Sequence, residues 1–134
     1  MKNFKIIIEY DGSQYCGWQR QNNDPTIQET IEKALMKMTD QKISLIGSGR
    51  TDAGVHAYAQ AANFKCRTNL DPRELVGALN SIIPDDIVIT SCDLVDESFH
   101  ARYNAKSKTY VYKILNRPTP AAIDRQYAWH IKKP

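Results

Sequence analysis

The chain has 134 residues, 42% of them hydrophobic and 25% charged, with a formal net charge of +3. That length and balance suit one soluble globular domain with its own core. No window approaches 18 uninterrupted apolar residues, which argues against a membrane-spanning helix, and the opening Met1-Lys2-Asn3-Phe4-Lys5 lacks a signal peptide's apolar core.

Phe4 to Tyr10 reads as a strand, with aromatic and β-branched residues and three consecutive isoleucines at 6–8. Such a run suits a central strand. Asp11-Gly12-Ser13 ends it as a turn, and Gln14 to Asn23 is polar and loop-like, carrying Tyr15, Trp18 and Arg20. Trp18 there either stacks on a base or anchors the loop to the core, the second being the commoner role.

Thr26-Ile27-Gln28-Glu29 has the form of a capping box. After it Ile27, Ile31, Ala34, Leu35 and Met38 recur at helical spacing, while Glu29, Glu32, Lys33 and Lys37 take the opposite face. This predicts a surface helix to about Thr39, with Met36 and Met38 as packing residues. Ile43 to Ile46 reads as a short second strand. Tyr58 to Cys66 reads as a third, with Tyr58, Phe64 and Cys66 on one parity. Asp71-Pro72-Arg73-Glu74 starts a second helix, whose stripe is Leu75, Val76, Leu79 and Ile82 and which Pro84 stops. Ile87 to Ile89, extending toward Val95, is a fourth strand.

The order β-α-β-β-α-β predicts an α+β, ferredoxin-like (RRM-like) antiparallel sheet with two helices on one face. Lys108 to Leu115 alternates and adds an extra C-terminal strand, and Tyr127 to Ile131 starts something further. The domain reading is residues 1–97 as the ferredoxin-like unit and 98–134 as a segment of different character. The end at Lys132-Lys133-Pro134 reads as a cut. Cys16, Cys66 and Cys92 form no CxxC and no evident metal set. They read as buried or incidental thiols in a reducing, cytoplasmic setting.

Charge is unevenly placed. Between Gln41 and Leu70 the only carboxylate is Asp52, among Lys42, Arg50, Lys65 and Arg67. From Ser98 to Ile123 there is no acid, while Arg102, Lys106, Lys108, Lys113 and Arg117 are basic. If these zones meet in space they form the positive face that a polyanion partner requires. Each alone reads as solvated surface.

Gly47-Ser48-Gly49-Arg50-Thr51-Asp52-Ala53-Gly54-Val55-His56 is the stretch with most chemical content. It fails as a P-loop, because Val55-His56 stands where Lys and Ser/Thr are required, and as a GxGxxG, because Asp52 occupies the third position. One carboxylate and one histidine are too few for a metal site, and Ser48 with His56 lacks nucleophile-elbow spacing. Asp52 therefore remains either a carboxylate nucleophile or base, or half of an Arg50–Asp52 pair that pins a turn. Spacing alone leaves both open.

Gly49-Arg50-Thr51-Asp52-Ala53-Gly54-Val55-His56 resembles the signature of the tRNA pseudouridine synthase A family. Three further segments are similar to that family in order and spacing: Tyr10 to Gln21, Phe99-His100-Ala101-Arg102-Tyr103, and Lys108-Thr109-Tyr110-Val111-Tyr112. The resemblance spans the whole chain but covers only the family's N-terminal half. It implies isomerisation of uridine to pseudouridine in the tRNA anticodon stem-loop, at conventional positions 38 to 40. No metal, nucleotide or redox cofactor is implied, and members are homodimers. By the same resemblance Asp52 is the catalytic nucleophile or base, Arg50 pairs with it and helps hold the target nucleotide out of the stack, and Tyr110 stacks on the uracil. Arg20, His56, Phe99, His100, Ala101, Arg102, Tyr103, Lys106 and Lys108 are then the residues expected at the tRNA, although Phe99 suits a core aromatic better. The competing reading is a non-catalytic RNA-binding module of RRM type. It rests on fold pattern and basic zones alone, and no strand carries the RNP run.

Overall fold

Lys2–Tyr10 forms β1, the central strand. Phe4, Ile6, Ile8 and Tyr10 are buried on one of its faces, while Asn3, Lys5, Ile7 and Glu9 alternate onto the other. The computed structural model describes residues 1–103, 113–116 and 128–131. In chain order the elements are β1, α1 (Ile27–Thr39), β2 (Ile46–Gly47), β3 (Ala57–Cys66), α2 (Pro72–Ile82), β4 (Ile87–Val95), β5 (Lys113–Asn116) and β6 (Ala128–Ile131).

The first four strands make one antiparallel sheet in the order β2-β3-β1-β4. This is the α+β, ferredoxin-like arrangement expected from the element order. The core lies between this sheet and the helices: β1's buried residues join Ile27, Ile31 and Leu35 of α1 and Leu75 and Leu79 of α2 in one cluster. β5 and β6 pair with each other in parallel. The extra strand expected over Lys108 to Leu115 is seen as β5, and residues 108–112 lie outside the described residues.

Both helix starts follow their sequence signals. Asp71 and Glu74 exchange hydrogen bonds in a complete capping box, 2.8 and 3.1 Å, with Pro72 at the first helical position. Thr26 caps α1 by accepting the Glu29 amide at 3.3 Å. The Glu29 carboxylate turns to Lys33 instead, 2.9 Å away, so only half of that box forms.

Four local expectations need correction. The second strand is Ile46–Gly47, not Ile43 to Ile46. Leu45 is buried, but its backbone is taken up by α1: its amide donates to Glu32 Oε2 and its carbonyl accepts from Gln28 Nε2, both at 2.8 Å. Glu32 is therefore 8% exposed and not on the solvent face. Tyr58 is exposed rather than on the buried parity of Phe64 and Cys66. The cause is a bulge, because Ile8 faces Gln60 while Tyr10 faces Ala57, and three steps on β3 against two on β1 flip the phase. Met36 is half exposed, while Met38 packs on the core as expected.

Candidate active site

Two loops interlock at one end of the sheet. The first runs from Asp11 to Asn23, and the second is the Gly-rich stretch between β2 and β3. Trp18 donates its amide to Thr51 O at 3.1 Å, Gly54 donates to Tyr15 O at 3.2 Å, and the Gly12 amide donates to His56 Nδ1 at 2.8 Å. Beneath them the Tyr10 and Thr51 hydroxyls meet at 2.8 Å in a buried contact. Gly17 has φ +88°, and a Cβ there would run into the Thr51 carbonyl. A Cβ on Gly47 would come within 2.6 Å of the Trp18 indole. Trp18 is 3% exposed, so it anchors its loop, as the commoner role has it.

The first loop is fixed at its base as well. Asp11 donates its amide to Asp86 O at 2.9 Å, and the Tyr15 hydroxyl donates to Asp86 Oδ1 at 2.7 Å. Burial, first, and then the Asp86 hydrogen bond and the charges of Asp86 and Asp11 hold the Tyr15 hydroxyl well above its ordinary ionisation range.

The second loop is held from β3. The buried Gln60 side chain donates from Nε2 to Gly49 O, and Ser48 donates its amide to Ala61 O at 2.8 Å. Downstream, the chain alternates between exposed Arg50, buried Thr51 and exposed Asp52. Arg50 and Asp52 thus project from a segment whose intervening residue is anchored at both backbone and side chain. The ends of the turn are pinned by neighbouring residues.

A third segment reaches the same place from the sheet's other face. Asn3 and Asn63, each 1% exposed, bind residues 96–101. Asn3 Nδ2 donates to Asp96 O and Phe99 O at 2.9 and 3.0 Å, and the Ala101 amide donates to Asn63 Oδ1 at 2.7 Å. Asp96 also accepts from the Ser98 hydroxyl and amide, which lowers its carboxyl below the usual range. Phe99 sits half-buried under the Lys5 ammonium, 5.7 Å from the ring centroid. His100 stacks on Tyr103, with centroids 4.2 Å apart.

The result is a groove of about 730 Å³ whose walls include Trp18, Gly47, Arg50, His100 and Arg102. One cation from the Asp52 zone and two basic residues from the zone after Glu97 share it. The two acid-poor regions of the sequence therefore do converge.

A family model described as tRNA pseudouridine synthase matches residues 6–104. The chain belongs to that family. It is 51% identical over 134 residues to a protein named tRNA pseudouridine synthase A from Thermoanaerobacter sp. (strain X514), covering 100% of this chain and 55% of that protein. It is 50% identical over 133 residues to tRNA pseudouridine synthase A 2 from Clostridium perfringens (strain 13 / Type A), covering 99% and 54%. The tRNA pseudouridine synthase A of Clostridium acetobutylicum is 50% identical over 129 residues, covering 96% and 53%. The chain thus spans about half the length of the curated relatives it matches.

Within this synthase-family chain the expected residues divide clearly. Arg50, His100 and Arg102 line the groove, Asp52 is exposed two residues beyond Arg50, and Tyr103 is 78% exposed next to His100. Ala101 is buried, and its amide is the anchor point of its segment. His56 sits at the loop junction, where its Nδ1 accepts the Gly12 amide at 2.8 Å and lies 3.1 Å from Asp11 Oδ1. Arg20 is half exposed, with its Nε 3.0 Å from Glu32 Oε1. Lys106, Lys108 and Tyr110 lie outside the described residues. Sequence reasoning missed Asn3, Gln60, Asn63 and Glu32, which hold the site's segments. For Asn3, Gln60 and Asn63 the available signal was an uncharged polar side chain within a strand, whereas Glu32 gave none, having the spacing of a solvent-facing residue.

Among the described residues, no helix is long and apolar enough to cross a membrane. Cys16, Cys66 and Cys92 are free, Cys66 being fully buried.

Proposed function

We propose that this chain is the N-terminal part of a tRNA pseudouridine synthase. The reading is that it isomerises uridine to pseudouridine in the anticodon stem-loop at positions 38 to 40, with Asp52 as the catalytic nucleophile. Family membership supports the reaction class. The local observation that supports the rest is the exposed Asp52, on a turn bolted down at Thr51 and Gly54, two residues from the Arg50 that lines a groove with His100 and Arg102.

The reaction breaks the bond between the ribose C1′ and uracil N1 and forms one between C1′ and C5. The proton on C5 leaves, and N1 gains one. No net oxidation occurs. Asp52 supplies the carboxylate that carries the sugar or the ring through the detached stage. A uridine within a stem must first be extruded, at roughly a few kcal/mol. Arg50 stabilises the displaced nucleotide, and Tyr110 recovers about 1–3 kcal/mol by stacking on the uracil. Arg102, His100, Lys106 and Lys108 meet phosphates along the stem, which fixes register without reading bases, while Arg20, expected there from the resemblance, stays with Glu32. Residues 1–97 form the catalytic unit, 98–134 bring the tRNA-contacting segment and the Tyr110 strand, and the complete protein works in the cytoplasm as a homodimer.

The RRM-type alternative is weakened by one observation. The sheet face that would serve as its RNA platform has Asn3 and Asn63 closed off beneath residues 96–101. Tritium release from 5-tritiated uridine in tRNA tests the assignment. The full-length protein should release it and Asp52→Asn should not, whereas an undiminished rate in Asp52→Asn would remove Asp52 from the mechanism.

A further inference from the structure

Two buried amides occupy the sheet face opposite the helices. Asn63 of β3 stands across from Lys5 of β1, and Asn3 stands across from Lys65, so the two asparagines are diagonal neighbours. Asn63 Nδ2 donates to Asn3 Oδ1 at 3.1 Å. Asn3 Nδ2 then donates to the carbonyls of Asp96 and Phe99, and Asn63 Oδ1 takes the Ala101 amide. Each amide oxygen and nitrogen of the pair is engaged. No buried side-chain polar atom among the described residues lacks a partner.

Apolar side chains at these two positions would close a sheet face at least as well, because burying an amide costs free energy unless each of its polar atoms is met. What the amides add is direction. They grip the backbone at 96, 99 and 101, and the gripped amide of Ala101 lies between His100 and Arg102. Those two residues line the groove together with Arg50. The Arg50 segment is also held from β3, three residues away, by Gln60. One strand therefore anchors both segments.

We propose that Asn63, backed by Asn3, is a positioning residue for RNA binding: it fixes His100 and Arg102 in the groove that Arg50 also lines, so that the RNA backbone meets all three together. This role rests on the reading of the groove as the tRNA surface. Asn63 touches no reacting atom, so its loss acts on binding and leaves the chemical step alone.

The test uses the full-length protein that carries this chain, with a labelled anticodon stem-loop RNA and intact tRNA as probes. Asn63→Ala should weaken RNA binding and raise KM by roughly tenfold while kcat changes by less than about threefold. In an Arg102→Ala background the same substitution should add less than about twofold, because Arg102, the formal cation it positions, is gone and only His100 remains to be held. Hydrogen exchange at the Ala101 amide should quicken by at least about tenfold with the unfolding midpoint little changed. Asn3→Ala, which leaves the Asn63–Ala101 bond in place, should move the same quantities by less and serves if Asn63→Ala does not fold. Wild-type affinity in a folded Asn63→Ala beside a weakened Arg102→Ala overturns the positioning role alone. So do losses that multiply across the double variant, or a kcat that falls in step with affinity. If Arg102→Ala itself binds RNA as the parent does, the groove reading falls first and takes this role with it.

Discussion

The Tyr10 hydroxyl meets the Thr51 hydroxyl at 2.8 Å, joining the last residue of the central strand to the residue immediately before Asp52. Tyr10 is 3% exposed and Thr51 9%, so neither hydroxyl has ready access to water. β1 is paired on both sides, so this contact ties the turn to the sheet's central strand. The proposed nucleophile is therefore anchored one residue upstream.

Tyr10→Phe leaves the Thr51 hydroxyl buried and unmet. Stability should fall by about 1–2 kcal/mol in urea denaturation. Turnover should fall further than RNA affinity, since Tyr10 does not line the groove. Adding Thr51→Val removes the stranded partner and should recover much of the stability but not the turnover. Strictly additive stability losses would show that the two hydroxyls are not coupled.

Gly47→Ala should be costly for a residue that faces solvent on paper. Its Cβ would arrive 2.6 Å from the Trp18 indole, and Trp18 in turn packs against Tyr10 at 6.2 Å between ring centroids. Displacing a packed indole should destabilise by about 1–3 kcal/mol. In a Trp129→Phe background, which leaves Trp18 as the reporter, emission should shift to the red. An unshifted spectrum would mean that the indole is not the group that yields.

What the sequence made legible was local. The Asp71-Pro72-Glu74 cap, the Ile27–Ile31–Leu35 stripe and the isoleucine run of β1 each announce their element within a few residues. The fold followed from their order. What stayed hidden depends on partners far along the chain. Glu32 has the spacing of a solvent-facing residue, but it is buried by Arg20 and the Leu45 amide. That same contact displaces the second strand. The β3 bulge at Ala57 to Gln60 reverses Tyr58 without leaving a mark in composition. At the proposed site, Asp52 and Arg50 stand out through their motif, whereas Asn63 looks like any strand asparagine until residue 101 is placed against it.

Stability should fall in alkali. Burial, with smaller contributions from Asp93 and Cys66, pushes the Cys92 thiol from its ordinary 9.0 up to about 12. Tyr15 is likewise raised above its ordinary 10.0. Above pH 9 the unfolded chain releases the Cys92 proton that the folded chain keeps, and above pH 10 the same holds for Tyr15. The folded state then binds more protons, so unfolding becomes easier as pH rises. Their contributions are intact below about pH 9 and drain away between there and pH 12. Urea midpoints from pH 7 to 11 should decline beyond pH 9, with a shallower decline in Cys92→Ala and Tyr15→Phe. A midpoint flat to pH 11 would contradict the burial of both groups.

Salt dependence should separate the arginines proposed to meet RNA from the one paired within the fold. Arg50 and Arg102 come from different segments and line one groove, whereas Arg20 is held 3.0 Å from a nearly buried Glu32 carboxylate. A phosphate contact releases counterions, so losing one should flatten the slope of log K against log salt by roughly 0.7–0.9. Arg50→Ala and Arg102→Ala should each show that change in tRNA binding. Arg20→Ala should show less than half of it, because drawing Arg20 to a phosphate strips Glu32 of its charged partner. Arg20→Ala should instead lower stability slightly, by about 0–1 kcal/mol, as a half-exposed pair does. Equal slope changes in all three variants would mean that Arg20 leaves Glu32 when RNA arrives, with the Leu45 amide left as the carboxylate's remaining described contact.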